Sequence, residues 1–285
     1  MAHSTKKLPF EVGGLKNMKI AISSFKWTFY KLQPLFYFVG SVCVLILLWQ
    51  FIFWKTNGDI PGPEAGKIAI QELFFDENPF YNNPEDPNYK GILVTLYSSL
   101  MRVFTGFVLG SLFAIPIGFI MGSSKLAMNL INPIVQILRP VSPLAWFPLG
   151  MIALKDAAGA TIFMIFITSL WPTLINTAVG VASIPSDHKN VGKAFGFSTW
   201  RYVTKIIIPY SLSHVITGLR LSIGVAWMVI VAGEMLSGGL GIGFFVWDSY
   251  NAGSLEKVIL AIFIIGLVGL ALDKGFNALQ KRYSY

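Results

Sequence analysis

Charge is scarce in this chain. Only 13% of its 285 residues are Asp, Glu, Lys or Arg, against roughly 25% in a soluble domain. A deficit of that size, joined to long uncharged runs, excludes an ordinary soluble domain and points to an integral membrane protein. Cysteine is nearly absent as well. The single Cys43 excludes an intrachain disulfide and any cysteine-based metal site. The three histidines, His3, His188 and His214, are scattered and form no H-E-x-x-H pair. Ser213 and His214 are adjacent, so on a helix they point about 100° apart and cannot act as a hydrolytic pair. No G-x-x-x-x-G-K-[ST] stretch occurs, so the chain does not hold ATP through a P-loop.

Long apolar runs are what the sequence has in abundance: 54% of it is hydrophobic. Residues 1–34 are a basic tail in which Leu15, Met18, Ile22, Phe25, Phe29 and Leu32 share one helical face, which predicts an amphipathic helix lying in the membrane interface. Residues 35–54 carry no charge and reach about 30 Å as a helix, one hydrocarbon thickness. Residues 55–90 form an acidic, proline-punctuated loop with room for one short helix at 63–75. Residues 91–275 read as five further spans. One begins near Gly91 and ends before Lys125. A second, at 126–154, holds Pro133, Pro140, Pro143 and Pro148 and is too rich in proline to be straight. A third covers 157–186 and a fourth 206–233. GGLGIGFF at 238–245 reads as a loop, and the last run, 258–272, is short unless it borrows residues from either flank. Residues 276–285 remain as a basic C-terminal tail. The expected fold is therefore all-α and integral to the membrane, with six transmembrane helices preceded by the interfacial helix. Lys and Arg crowd the N-tail, residues 187–205 and the C-tail, while residues 55–90 are acidic. The positive-inside rule then puts both termini in the cytoplasm and residues 55–90 outside. Gly106 and Gly110 have the spacing of helix-packing glycines.

The polar island DHKNVGKAFGFSTWRYVTK at 187–205 interrupts this apolar chain. His188–Phe195 can make about two helical turns, Gly196 can end them, and Ser198 or Thr199 can cap a second helix running toward Pro209. Phe195, Phe197 and Trp200 offer apolar anchors and Lys189, Lys193 and Arg201 offer charge, the composition of an interface centre. Gly196 stands thirteen residues before Pro209, with Ile206 and Ile208 just ahead of the proline.

That spacing resembles the cytoplasmic coupling loop of ABC-importer permeases: Glu-Ala-Ala, three residues, Gly, nine residues, Ile, one residue, Leu-Pro. Here Asn190-Val191-Gly192 stands at the first element, with Asn in place of the acid, followed by Lys193, Ala194, Phe195 and then Gly196, Ile206 and Ile208-Pro209. The tract from Leu138 to Leu149, LRPVSPLAWFPL, resembles one of the nitrate/sulfonate/taurine-type permeases. Gly218-Leu219-Arg220, Ala232-Gly233-Glu234-Met235 and GGLGIGFFVWDSYNA are similar to the same subfamily, and the chain looks most like its cyanobacterial nitrate/nitrite and bicarbonate members. The resemblance implies the type I importer fold and a non-catalytic subunit in a bacterial inner membrane. It also implies a second permease copy, an external binding protein or lipoprotein, and two ABC ATPase subunits that bind ATP and Mg in this chain's stead. No nucleic-acid partner is implied. Nitrate or nitrite is the expected cargo, with bicarbonate or an alkanesulfonate as alternatives. A stand-alone anion transporter or channel would want an inverted repeat or more spans.

Arg139 and Arg220 lie within apolar runs, where a cation costs about 3 kcal/mol or more, so each is a functional candidate. With Ser142, Trp146 and Glu234 they form the expected anion pathway. Arg220 and Glu234 cannot pair within one straight helix, since fourteen residues separate them by about 21 Å.

Overall fold

The protein is described by a computed structural model covering residues 33, 36–81 and 91–283. The predicted amphipathic helix at 15–32 lies outside the described residues. Two compact units are separable, Met1–Ala65 and Gly66–Tyr285. Among the described residues all regular structure is helical.

In the first unit, helix α1 (Phe36–Lys55) is apolar on every side and none of its span is buried by the protein, the signature of a lipid-facing span. Thr56 Oγ1 donates to Ile52 O at 2.9 Å and ends it, and Trp49 Nε1 donates to Pro61 O at 2.8 Å, drawing the following turn back over the helix end.

The second unit begins within α2 (Pro63–Gln71), which is continued by a π turn at Glu72–Asp76. Ala69 and Leu73 of this short segment are buried in the main core. Lys257 reaches over to the π turn, 2.6 Å from Glu72 and 3.7 Å from Glu77. Then follow α3 (Ile92–Ser123), α4 (Lys125–Leu138), α5 (Pro143–Leu154), α6 (Ala157–Ala182), α7 (Ser186–Ala194), α8 (Thr199–Tyr202), α9 (Ile208–Ser237), α10 (Ile242–Asn251) and α11 (Leu255–Tyr283). Five helices are long and apolar enough to cross a membrane. The proline-rich pair α4 and α5 meets the same measure only when taken together, bent by 97°, so the described residues hold five spans, or six if that pair counts as one.

α6 is the centre of the bundle, with α3 and α9 against it. α3 approaches α6 along a ladder of small residues four apart: Gly106, Gly110, Ala114, Gly118 and Gly122. A Cβ on Gly106 would sit 2.7 Å from Ile165, and one on Gly118 would sit 2.6 Å from Thr177, so only glycine lets these backbones meet. The α6–α9 seam is polar. Pro172 has no N–H, and where the ladder of α6 opens beside it, Ser222 of α9 enters. Ser222 Oγ donates to Ser169 O at 2.5 Å, accepts from Thr173 N at 3.2 Å, and stands 2.7 Å from Thr173 Oγ1. The neighbouring helix thus satisfies the backbone groups that the kink releases.

Two expectations need correction. GGLGIGFF is not a loop throughout: a turn occupies 238–241 and α10 begins at Ile242. The last span does borrow from both flanks as expected, since α11 runs for 29 residues and carries Asp273 and Lys274 inside it. Its last turns take up residues 276–283 of the expected tail.

Ser222→Ala is expected to leave Ser169 O and Thr173 N unsatisfied and to destabilise the protein by about 1–3 kcal/mol. Thermal unfolding of the detergent-solubilised protein measures it, and an unchanged midpoint would show the seam to be held by packing alone.

Candidate functional site

The candidate residues fall at three places. The first is the bend between α4 and α5. α4 ends at Arg139, whose N–H still bonds Val135 O at 2.9 Å. Pro140 and Pro143 forbid continuation, and the chain turns through Ser142 into α5. A cation at the C-terminus of α4 suits that helix dipole. The N-terminus of α5 carries no side-chain cap, so the positive end of its dipole adds a second positive element beside the guanidinium. Arg139 and Ser142 are exposed and Trp146 is half-buried. Arg139 lines a cleft of about 530 Å³ with Met121, Met128, Asn132, Gln136 and Ile175. Among the described residues its guanidinium has no hydrogen-bond or ion-pair partner.

The second place comprises the two other ionisable candidates, which the fold keeps apart. Arg220 grips Asp273 of α11 with two parallel bonds, Nε–Oδ1 at 2.7 Å and Nη2–Oδ2 at 2.9 Å. Its Nη1 also donates to Asn277 and Gln280, and Gln280 Nε2 donates to Thr217 Oγ1 at 2.8 Å. Glu234 is fully buried. Its Oε1 accepts from Arg102 Nη1 at 2.9 Å, and its Oε2 accepts from Ser99 Oγ at 2.9 Å and Gly243 N at 3.0 Å. Arg102 also donates to Leu240 O, and Ser99 Oγ accepts from Ile242 N at 2.8 Å. The carboxylate is thus the knot tying α3 to the turn between α9 and α10. Gly241, at φ 155°, is required there, since a Cβ would run into the carboxylate itself.

Sequence reasoning did not single out Ser99, Arg102, Asp273, Asn277 or Gln280 as partners. A signal existed for two of them. Arg102 and Glu234 are opposite charges, each isolated in an apolar run, and lone opposite charges in a membrane tend to find one another.

The third place is the polar island. α7 is closed by Gly196 at φ 59°, and Phe197 N bonds back to Gly192 O at 2.9 Å in the Schellman pattern. Ser198 caps the next helix by accepting from Arg201 N at 3.4 Å. That helix is not a separate short one. It passes through a π turn at Val203–Ile207 into α9, a continuous rod over Thr199–Ser237. The π turn accommodates Pro209, which lacks an N–H and would crowd the carbonyl four residues back in a regular helix. Gly192 is buried against Tyr202, 2.8 Å from where its Cβ would be. Ile184, Val181 and Ile207 pin the elbow to the bundle. Val191, Phe195 and Trp200 are left exposed, the two aromatics by 73% and 77%. Arg201 lies 5.8 Å over the Phe197 ring. Asn190, Ala194 and Pro209 are exposed as well.

Arg102→Met is expected to strand the buried Glu234 carboxylate and to cost about 3–5 kcal/mol. Adding Glu234→Gln should restore part of the loss, since a neutral amide can stay buried. Folded yield and thermal midpoint of the two variants test this. Equal stability of Arg102→Met and wild type would remove the knot from the account.

Known proteins share this arrangement. The MetNI methionine ABC transporter, solved in inward-facing conformations, superposes with a TM-score of 0.60 over 68% of this chain and 96% of that one, at 13% identity, which shows a common fold. The nitrate import permease NrtB of Leptolyngbya laminosa is 45% identical over 230 residues, 81% of each chain. That of Synechococcus elongatus is 41% identical over 248 residues, 86% of this chain and 88% of the relative. The bicarbonate transport system permease CmpB of a Synechocystis species is 41% identical over 251 residues, 88% of each. Residues 106–285 match the family described as the binding-protein-dependent transport system inner membrane component. This chain belongs to that family of ABC-importer permeases.

Proposed function

We propose that this chain is the permease subunit of an ATP-driven importer of nitrate in a bacterial inner membrane. Two copies enclose the path, two ATPase subunits drive it, and an external binding protein delivers the anion. Both termini face the cytoplasm, as the Lys/Arg asymmetry requires. The observation that carries the anion is the unpartnered Arg139 beside the uncapped N-terminus of α5. Nitrate in particular is supported by the relatives named for nitrate import. Ser142 and Trp146 flank the same bend and belong to the path. Arg220 and Glu234 serve it indirectly, since each is already bound to an opposite charge.

Bicarbonate is the second reading, favoured by the 41% identity to the bicarbonate permease. Both ions are planar with three oxygens. Nitrate only accepts hydrogen bonds, whereas bicarbonate also carries an O–H that needs an acceptor. The groups at the bend are mainly donors, which suits nitrate better. ATP-dependent uptake of labelled nitrate and of labelled bicarbonate by vesicles holding the whole complex separates the two.

Arg139→Gln is expected to lower nitrate uptake about tenfold or more, the loss of one charge-assisted hydrogen bond. Assembly with the ATPase should be unchanged. Normal uptake would make the arginine idle, and failed assembly would make it a packing residue.

The elbow of α7 and α8 is the ATPase contact. Lys189, Asn190, Val191, Gly192, Lys193, Ala194, Phe195, Gly196, Phe197, Trp200 and Arg201 supply it, and Pro209 marks where the rod enters the bundle. Phe195→Ala removes an exposed anchor without touching the core and should weaken ATPase docking by about 2 kcal/mol. Gly196→Val forces a β-branched residue to positive φ and should disrupt the elbow. Co-purification and anion-stimulated ATP hydrolysis report both; wild-type coupling in the two variants would place the contact elsewhere.

A further inference from the structure

α4 is apolar apart from Lys125, Asn129, Asn132, Gln136 and Arg139. Their spacing of four, three, four and three residues puts all five within an arc of about 80°. They make one polar stripe along fourteen residues, about 21 Å. α4 has no acidic residue. Among the described residues none of the five side chains has a hydrogen-bond or ion-pair partner. The buried edge of the helix, at Val135, lies to one side of the stripe, and Leu130, Ile134 and Ile137 are exposed on the far side. Asn132, Gln136 and Arg139 line the 530 Å³ cleft, whose other wall is apolar, from Ile175, Ala178 and Val179 of α6.

Unpaired amides and cations at membrane depth must be hydrated or bound. One alternative is pairing with a second copy of this chain through interhelical amide bonds. A two-fold axis along the membrane normal would then set Lys125 against Lys125 and Arg139 against Arg139, like charges that repel unless an anion lies between them. We infer that the stripe is a wet anion track, in which Asn132 and Gln136 are specificity-determining residues that hand an oxyanion along the helix to or from Arg139. This inference rests on the reading of the chain as an oxyanion permease and adds to it the residues beyond the bend. Each amide NH₂ offers two donors to the oxygens of a planar ion, and none of the amides holds it with full charge. An ion that must leave again is better served by such weak sites in series than by a closed cage.

The test uses the whole complex in phosphatidylcholine vesicles. Cys43→Ser clears the one native thiol of this chain, and Asn132→Cys, Gln136→Cys or Ile134→Cys is added singly, with the rate of the Cys43→Ser complex subtracted as background. Modification by an anionic, water-soluble methanethiosulfonate is then timed. Cysteines at 132 and 136 are expected to react at least about tenfold faster than at 134, and excess nitrate should slow the first two alone. Equal, slow reaction at all three positions would mean a dry stripe packed against lipid or a second copy, and would overturn the track. Fast reaction that nitrate does not slow would also overturn it, leaving a wet face without an anion site. Protection that appears only when phosphatidylglycerol is present would assign the stripe to a lipid phosphate and overturn it too. As a separate readout, Gln136→Glu should cut nitrate uptake about tenfold in a complex that still assembles, while Gln136→Asn retains most of it; unchanged uptake in Gln136→Glu overturns the track. If the wild-type complex imports bicarbonate and not nitrate, the nitrate reading fails by itself. The protection assay run with bicarbonate then decides the track.

Discussion

The buried carboxylate of Glu234 is the interaction on which the upper part of this bundle depends. A charge enclosed by protein at membrane depth is tolerable only when every lone pair is engaged. Here α3 supplies Arg102 and Ser99, and the first turn of α10 supplies Gly243 N. The geometry leaves no room for a side chain at Gly241. One acidic residue therefore decides where α9 stops, how α10 folds back and which face α3 presents. The same rule, that polar groups in lipid must be answered from within, explains the Ser222 bridge at the opening of α6 and the fork of Arg220 on Asp273.

Prolines perform two different tasks under that rule. Pro172 opens a helix whose freed groups a neighbour takes up, so the helix remains a strut. Pro140 and Pro143 open the chain between α4 and α5 where, among the described residues, no side chain takes up the guanidinium of Arg139 or caps α5. A span left polar and unsatisfied at its break is suited to a solvated ion and unsuited to lipid. The Arg139 bend and the polar face of α4 that leads to it are thus one continuous feature.

The elbow is continuous with α9. Thr199–Ser237 is one helix that carries Trp200, Ser222, Arg220 and Glu234. Small residues along the α3–α6 contact bring the two backbones into van der Waals contact.

Local rules made several features legible in the sequence. Twenty uncharged residues must span, Gly196 must end a helix, and four prolines between 126 and 154 must break one. Each depends only on neighbours in the chain, as did the motif spacing of the elbow and the expectation of six spans. Pairings between distant residues were decided by the tertiary structure. Arg102 and Glu234 are 132 residues apart, and Arg220 and Asp273 are 53 apart. Their partnership depends on how α3, α9 and α11 pack, which no local pattern encodes. For the same reason the three ionisable candidates of the sequence proved unequal. Among the described residues Arg139 has no partner because its helix ends at a break, while Arg220 and Glu234 were each claimed by a helix distant in sequence and adjacent in space.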